Sequence, residues 1–425
     1  MREMKNSGVA WIGDVPENWG TIPNKYLMRK VKAICQKYSN EDVLSLTMNG
    51  VIKRDLDNPS GKMPSTFDGY QFVYAGNLLM CLFDIDVTPR CIGLIENDGI
   101  TSPAYSQFEL KRNAFNRYYY YYYLYLDNKK ELLHLAKNLR HSFTEEQFGQ
   151  IPTVVPPIEQ QHLIANQLDF VCKKVEDLIS NQEQQIEKLK QYKQSLITEV
   201  VTKGLNPNVP MKDSGVKWIG MIPKHWIVKR TKFVANALEK GKGITKEEVI
   251  SDGNIQCVRY GEIYTKYNQG FTDCVSRTNL EIIQPHQFFE HGDILFAGTG
   301  ELVEEIGKNV VYLGNEKCLA GGDIIVMKHH QDPAFLNYAL NSIYSQKQKS
   351  YGKAKLKVVH ISADNIGNVK IALPPLNEQQ RIATYLDNKC AKIDRLIAIK
   401  QEKINKLNDY KKSLIYEYVT GKKEA

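Results

Sequence analysis

Between Leu168 and Leu196, apolar residues return every three or four positions. They fall on Leu168, Val171, Val175, Leu178, Leu189, Tyr192 and Leu196, with Gln182 and Gln185 as a polar patch in the same register. Such a seam predicts a long helix that pairs with another helix. Neither Pro nor Gly interrupts 158–203, as an unbroken helix requires. The pattern returns on Leu386, Ile393, Leu396, Leu407, Tyr410 and Leu414, with Cys390, Ile397 and Ile404 alongside and lysines at the polar positions. Pro156-Pro157 and Pro374-Pro375 open the two patterns, and Gly204 and Gly421 close them. Ordinary amphipathic bundle helices would show a similar period; the length of the seam favours a coiled coil.

The rest of the chain has a shorter rhythm. Runs such as Gln71–Tyr74, Leu78–Phe83, Asp293–Phe296, Asn309–Leu313 and Asp323–Met327 are bounded by Gly, Asn and Asp and predict strands. The tyrosine run 118–123 fits core packing with a half-exposed face better than a base-stacking platform. A strand would put three rings on each side, and a helix would spread them all round.

The chain also repeats itself. Met4–Trp19, MKNSGVAWIGDVPENW, matches Met211–Trp226, MKDSGVKWIGMIPKHW, at ten of sixteen positions, and these two copies hold all four tryptophans. Pro156–Thr202 aligns without gaps on Pro374–Thr420, with 22 identities in 47 positions. Between these markers the blocks 20–150 and 227–368 show little similarity. One plan is therefore present twice: leader, variable block, Pro-Pro, long helix. The expected divisions are 1–155 (leader and first block), 156–205 (central helix), 206–373 (leader and second block) and 374–425 (C-terminal helix).

Connectivity predicts geometry. A globular block has its ends close together. The second block leaves the end of the first helix and returns at the start of the second, so those two ends should meet and the helices should run antiparallel. About 40 helical residues span on the order of 60 Å. The expected fold is α+β: two mixed α/β domains joined by two long antiparallel helices, with an internal pseudo-twofold repeat.

Composition narrows the class. Of 425 residues, 42% are hydrophobic and 24% charged, the ordinary globular range. The formal net charge of +8 permits a polyanionic partner without proving one. No run is long and apolar enough for a membrane span, and Met1–Val15 has no signal-peptide core. The eight cysteines are scattered without a CxxC pair, which predicts reduced thiols, no metal site and a cytoplasmic setting.

Catalytic signatures are missing. The Pro-Pro pairs lack the Asn or Asp and the aromatic neighbour of an amino-methyltransferase tetrapeptide. Gly241-Lys242-Gly243 has neither the spacing nor the hydroxyl of a phosphate loop. Asp98, Glu109 and Lys111 have the order of a metal-dependent nuclease site, without a counterpart in the second copy. Asp84 and Asp86 fit the end of a strand, and His329-His330 a surface turn. The chain looks like a binder.

Its cations cluster usefully. Lys347, Lys349, Lys353, Lys355 and Lys357 lie together before the second Pro-Pro, where the first copy has Lys137, Arg140 and His141. Arg54, Lys62, Arg90, Arg112 and Arg117 are further candidates in the first block; Arg259, Tyr260, Lys266 and Lys308 are candidates in the second. Lys and Arg neutralise phosphates, and Arg pairs with base edges. Replacing Lys355 and Lys357 by alanine is expected to weaken DNA binding.

The doubled SGVxWIGxxPxxW leader, the variable block and the PPxxEQxxI helix start resemble the specificity subunit of type I restriction–modification systems. The resemblance covers Met4 to about Lys422. Pro374–Ala383, PPLNEQQRIA, fits closely, and Pro156–Gln161 is looser. It implies that each block is a target recognition domain reading half of a split, asymmetric sequence in double-stranded DNA. The helices would set the gap and dock modification subunits, two of them, and restriction/translocase subunits would join. Catalysis, S-adenosylmethionine, ATP and Mg would belong to those partners and no cofactor to this chain. The competing reading is a two-headed coiled-coil scaffold for proteins, without DNA specificity.

Overall fold

The computed structural model describes residues 3–59, 61, 63–111, 113–136, 141–279, 288–354 and 358–425. The chain is α+β and divides into two compact units, Met1–Glu183 with Gln401–Ala425, and Gln184–Lys400. The predicted long helices are Ile158–Lys203 and Leu376–Val419, and each contributes residues to both units.

In the first unit, the leader forms a hairpin of Met4–Asn6 with Asp14–Pro16. Gly20–Pro23 then pairs with Pro152–Val155, the strand that leads into the central helix. The block adds a four-stranded sheet in the order Ile92–Leu94, Leu78–Met80, Ser106–Leu110, Met28–Val31, and a three-stranded sheet of Gly99–Thr101, Tyr70–Val73 and Ile34–Cys35.

The tyrosine run is a core helix, Asn116–Lys129. All its rings but the half-buried Tyr120 are buried, in one core with Trp19, with Leu168 and Cys172 of the central helix, and with Leu414 and Tyr418 of the C-terminal helix. A buried phenol needs a partner for its hydroxyl. Tyr118 donates to the Val419 carbonyl (2.9 Å), Tyr121 to Asp169 (2.8 Å), Tyr123 to Asn24 (2.6 Å) and Tyr125 to the Trp11 carbonyl (2.7 Å).

The second unit repeats the frame and changes the insert. The hairpin Met211–Asp213 with Met221–Pro223 and the pair Ile227–Arg230 with Lys370–Leu373 return. The block is a five-stranded sheet, Ala235–Lys240, Ile324–His329, Ile294–Ala297, Asn309–Tyr312, Gly270–Phe271, beside a four-stranded sheet, Ser276–Thr278, Ile255–Val258, Cys318–Ala320, Phe288–Phe289. The predicted strands are present, with ends displaced by at most three residues.

The long helices are antiparallel in both units. In the first, Glu176 meets Lys411 at 2.7 Å; in the second, Lys193 meets Asp394 at 2.7 Å and Lys400 donates to Gln185. The two ion pairs occupy equivalent positions of the repeat with the roles exchanged. Where the C-terminal helix starts, Glu378 lies beside Gly204 at the end of the central helix. That is the meeting of ends that connectivity predicts. Gly204 and Gly421 have φ of +76° and +71°, the left-handed geometry of a helix stop, and pack on Trp226 and Trp19 respectively.

The frame extends further than sequence identity does. Thr144 with Gln147, and Ser362 with Asn365, form equivalent capping boxes that start the short helices Glu145–Gln150 and Ala363–Gly367. Each short helix leads into the strand before Pro-Pro. These segments lie in blocks whose sequences show little similarity, because the repeat is kept there by like-for-like replacement.

Candidate nucleic-acid interface

In the second unit a groove of about 790 Å³ opens between the Gly243–Lys246 segment, the short helix Tyr260–Thr265 and the Gly321-Gly322 turn. Three predicted residues, Arg259, Tyr260 and Lys266, line it together, joined by Lys246. The strand Ile255–Val258 ends at Arg259, whose backbone N–H is accepted by Glu262 at 3.1 Å. Glu262 is buried, accepts the Ser276 hydroxyl at 2.5 Å and lies 3.8 Å from the Arg259 Nε. The guanidinium thus faces a carboxylate as an ion pair, while its buried Nε makes no hydrogen bond among the described residues. The buried Tyr267 hydroxyl accepts the Val275 N–H at 2.9 Å and so fixes an exposed valine on the rim. Gly321 donates to the Val258 carbonyl at 2.8 Å, and a Cβ there would stand 3.1 Å from that oxygen. A concave surface with cations, an exposed ring and bare backbone suits a polyanion approached closely.

Other candidates serve the fold. Arg90 donates to the carbonyls of Ile92 and Met48 and to the Tyr120 hydroxyl, so all three of its nitrogens are engaged within the block. Arg117 grips both Asp169 oxygens, at 2.7 and 3.0 Å, and fastens the tyrosine helix to the central helix. His141 has its imidazole 3.6 Å from Asp86, and its carbonyl accepts from Ile85. The Arg54 N–H donates to the Val43 carbonyl, and the residue is half-buried. Lys308 lies over the Tyr264 ring and lines a different hollow, of about 540 Å³; burial pushes its pKa down. Lys353 donates to the His360 carbonyl at 2.8 Å and to Asn365 at 3.3 Å. Lys62, Arg112, Lys137, Arg140, Lys355 and Lys357 lie outside the described residues.

The five-lysine cluster is not a single loop. Lys347 and Lys349 belong to the helix Ile343–Ser350. Lys349 is buried and donates to the Gly307 carbonyl (2.6 Å) and to Asn309 (3.2 Å). Burial pushes its pKa down to about 7. Between that value and the ordinary lysine value of about 10.4, the unfolded chain carries a proton that the folded chain lacks, so stability rises with pH across this window. Urea unfolding of the second unit between pH 7 and 10 is expected to show that rise. Lys349→Met should flatten it; an unaltered slope in the variant would assign the rise to another group.

The acid–acid–lysine trio is dispersed among separate partners. Asp98 caps the Ala75 N–H (2.7 Å), Glu109 pairs with Arg29 (2.5 Å) and Lys111 donates to the Lys25 carbonyl (2.7 Å). Among the described residues no cluster of three His, Cys, Asp or Glu could hold a metal ion. Nor is any described helix long and apolar enough to cross a membrane. Asp84 sits in a turn with φ of +47°.

The helical seam needs a correction of register. Leu168, Val175, Leu386, Ile393 and Leu414 are buried as expected, and Leu189, Leu196 and Leu407 are half-buried. Leu178 and Leu396 are each 47% exposed, and Tyr192 and Tyr410 are 57% and 53% exposed. Cys172, Ile186, Ile197, Cys390 and Ile404 are buried instead. Apolar residues stand on both flanks of the seam, and a period of 3.6 brings i+4 as well as i+3 onto one face, so spacing alone could not choose.

Helix and block are joined twice by the same contacts. The Trp19 indole N–H donates to Gln160 (2.7 Å), and that of Trp226 to Glu378 (3.1 Å). Buried Gln161 accepts from the Phe115 N–H and donates to the Asn113 carbonyl; buried Gln379 accepts from the Asp332 N–H and donates to Gln331. Tyr121 donates to Asp169 and Tyr338 to Asp387, each at 2.8 Å.

Against known proteins, the family model described as the type I restriction modification DNA specificity domain matches residues 223–409. The MjaVIII type I restriction enzyme specificity subunit of Methanocaldococcus jannaschii is 28% identical over 282 residues, 65% of this chain and 63% of that protein. The putative MjaX specificity subunit of the same organism is 27% identical over 321 residues, 73% of this chain and 69% of the relative. The match therefore spans less than two thirds of the first of these relatives. A chain solved in a study of complex assembly and conformational transition of the type I R-M system has a TM-score of 0.69 at 15% identity. It covers 95% of this chain and 98% of its own length, a likeness of fold. The segment 223–409 is similar to a DNA specificity domain, and the likeness of fold extends over nearly the whole chain. The chain is thus similar, in that segment and in these relatives, to the specificity subunits of type I restriction–modification systems.

Proposed function

We propose that this chain is the DNA sequence-specificity subunit of a type I restriction–modification complex. It reads a bipartite, asymmetric target in double-stranded DNA, one half-site per unit. The observation that carries this reading is the groove around Arg259, set in the part of the second unit that has no sequence counterpart in the first. Contacts between helix and block repeat while the inserts differ, which suits two readers of different sequences on one frame.

The role of a specificity subunit is non-catalytic. S-adenosylmethionine-dependent methylation and ATP- and Mg-dependent restriction belong, on this reading, to partner subunits acting in the cytoplasm. Leu178 and Tyr410 lie exposed within a turn of the Glu176–Lys411 pair in the first unit; Leu396 and Tyr192 repeat them beside Lys193–Asp394 in the second. A docking surface present twice fits two modification subunits, with the restriction subunits joining that assembly.

The test is to co-express the chain with a type I modification subunit and map modified adenines across the host genome. A split motif with a fixed gap and two unrelated halves is expected. An assembled, active complex that methylates a continuous or palindromic motif would refute the two-reader scheme.

A further inference from the structure

The frame repeats one surface feature in both units. Tyr26 lies in the short turn Asn24–Leu27 and Phe233 in the short turn Thr231–Phe233. Each follows a lysine and comes seven residues after the second tryptophan of its leader. The turns are anchored alike. The Asn24 N–H donates to the Ile151 carbonyl (3.0 Å), and the Thr231 N–H to the Val369 carbonyl (2.8 Å). The stem of Lys25 lies over Gly149 and that of Lys232 over Gly367, equivalent glycines of the two capped helices. Yet the rings are left in the open, Tyr26 61% and Phe233 67% exposed. The Lys25 ammonium stands 5.2 Å from the Tyr26 ring centre, and that of Lys232 stands 5.5 Å from the Phe233 ring centre.

One exposed aromatic ring is ordinary on any surface. The same ring with the same cation, at the same place in two otherwise divergent blocks, is not explained by packing. The surroundings add charge. Phe233 borders a hollow of about 440 Å³ whose charged residues are Lys229, Arg230 and Lys370, all basic. Beside Tyr26, the Lys111 ammonium sits on the Lys25 carbonyl at 2.7 Å.

We propose that Lys25–Tyr26 and Lys232–Phe233 are two copies of one docking contact for an acidic-surfaced protein that binds this chain twice. It rests on the family reading above, in which the partner present in two copies is the modification subunit. An aromatic ring beside cations is the composition of a protein-interface hot spot. The phosphate backbone is the alternative polyanion, but it takes cations and hydrogen-bond donors. Phe233 lacks the hydroxyl of Tyr26, so the ring face is what the two sites share, and a duplex offers no unstacked base to it.

The experiment uses the full-length chain co-expressed with a type I modification subunit, with native mass spectrometry for stoichiometry and titration for affinity. The wild type is expected to hold two modification subunits. Tyr26→Ala should weaken one by at least about tenfold and Phe233→Ala the other, and the double variant both. Lys25→Glu with Lys232→Glu should act in the same direction, Tyr26→Phe should be silent, and binding of the free chain to duplex DNA at fixed salt should not change. Unchanged partner affinity in the double variant would overturn the proposal. So would a loss of duplex affinity with partner binding intact, which would make these residues a backbone contact. A wild-type chain that holds no modification subunit would bring down the family reading and this proposal together; a wild type and a double variant that both hold two would bring down this proposal alone.

Discussion

Trp226→Ala is expected to unfold the frame of the second unit and leave the first intact. The indole is fully buried among Ile197, Val201, Ile222, Ile382 and Leu386, so one side chain holds the leader, the end of one long helix and the start of the other. Truncating a buried tryptophan costs about 3–5 kcal/mol, a large share of what a unit of this size has to lose. Hydrogen exchange read by mass spectrometry should show lost protection in 211–230, 196–204 and 376–390, with protection of the tyrosine helix retained. Trp226→Phe separates packing from polarity. It keeps most of the apolar contact and removes the N–H that Glu378 accepts. Hydrogen bonds to charged groups are worth about 1.5–3 kcal/mol, against about 0.5–1.5 for neutral pairs. Trp226→Phe should therefore cost more than Trp19→Phe, whose indole meets the neutral Gln160. Equal costs, or exchange that spreads evenly over both units in Trp226→Ala, would show that the two frames are not independently held.

The legible parts of this protein are those the chain states twice. The tryptophan leaders and the Pro-Pro helices could be aligned by eye, and the antiparallel pairing followed from where the second block leaves and returns. The capping boxes at Thr144 and Ser362 leave no repeat in the sequence, because Thr stands where Ser does and Gln where Asn does, with Gly149/Gly367 the sole identity in each short helix. Cations could be found in the sequence, but their tasks could not. Arg117 looked like a phosphate ligand, and only the fold places Asp169 opposite it. Lys349 looked like part of a basic loop, and only burial beside Gly307 removes it from the surface. The groove itself joins residues 243–246, 259–266, 275–276 and 321–323, four segments that no local pattern connects. Of these, Arg259, Tyr260 and Lys266 could be picked out because they are close neighbours in sequence with an aromatic among them.

Arg259→Ala with Lys266→Ala is expected to abolish recognition of one half-site and leave the other unchanged. Both side chains line one groove in one unit, so the loss should be confined to one half of a split motif. Two measurements separate their roles. If each neutralises a phosphate, the slope of log affinity against log salt should flatten by about 0.9 per cation, and by about 1.8 in the pair. If Arg259 instead reads a base edge with its fork, Arg259→Lys keeps the charge and nearly the same salt slope. It gives up about 1–3 kcal/mol of discrimination at a single position, visible as a relaxed base in the methylation motif. The buried Glu262 favours the second outcome for Arg259, because its carboxylate lies 3.8 Å from the Nε and keeps the guanidinium at the groove wall. Lys266 is exposed on the helix end, which suits a phosphate. A double variant with unchanged motif, affinity and salt slope would remove this groove from the DNA interface and move the search to the hollow around Lys308.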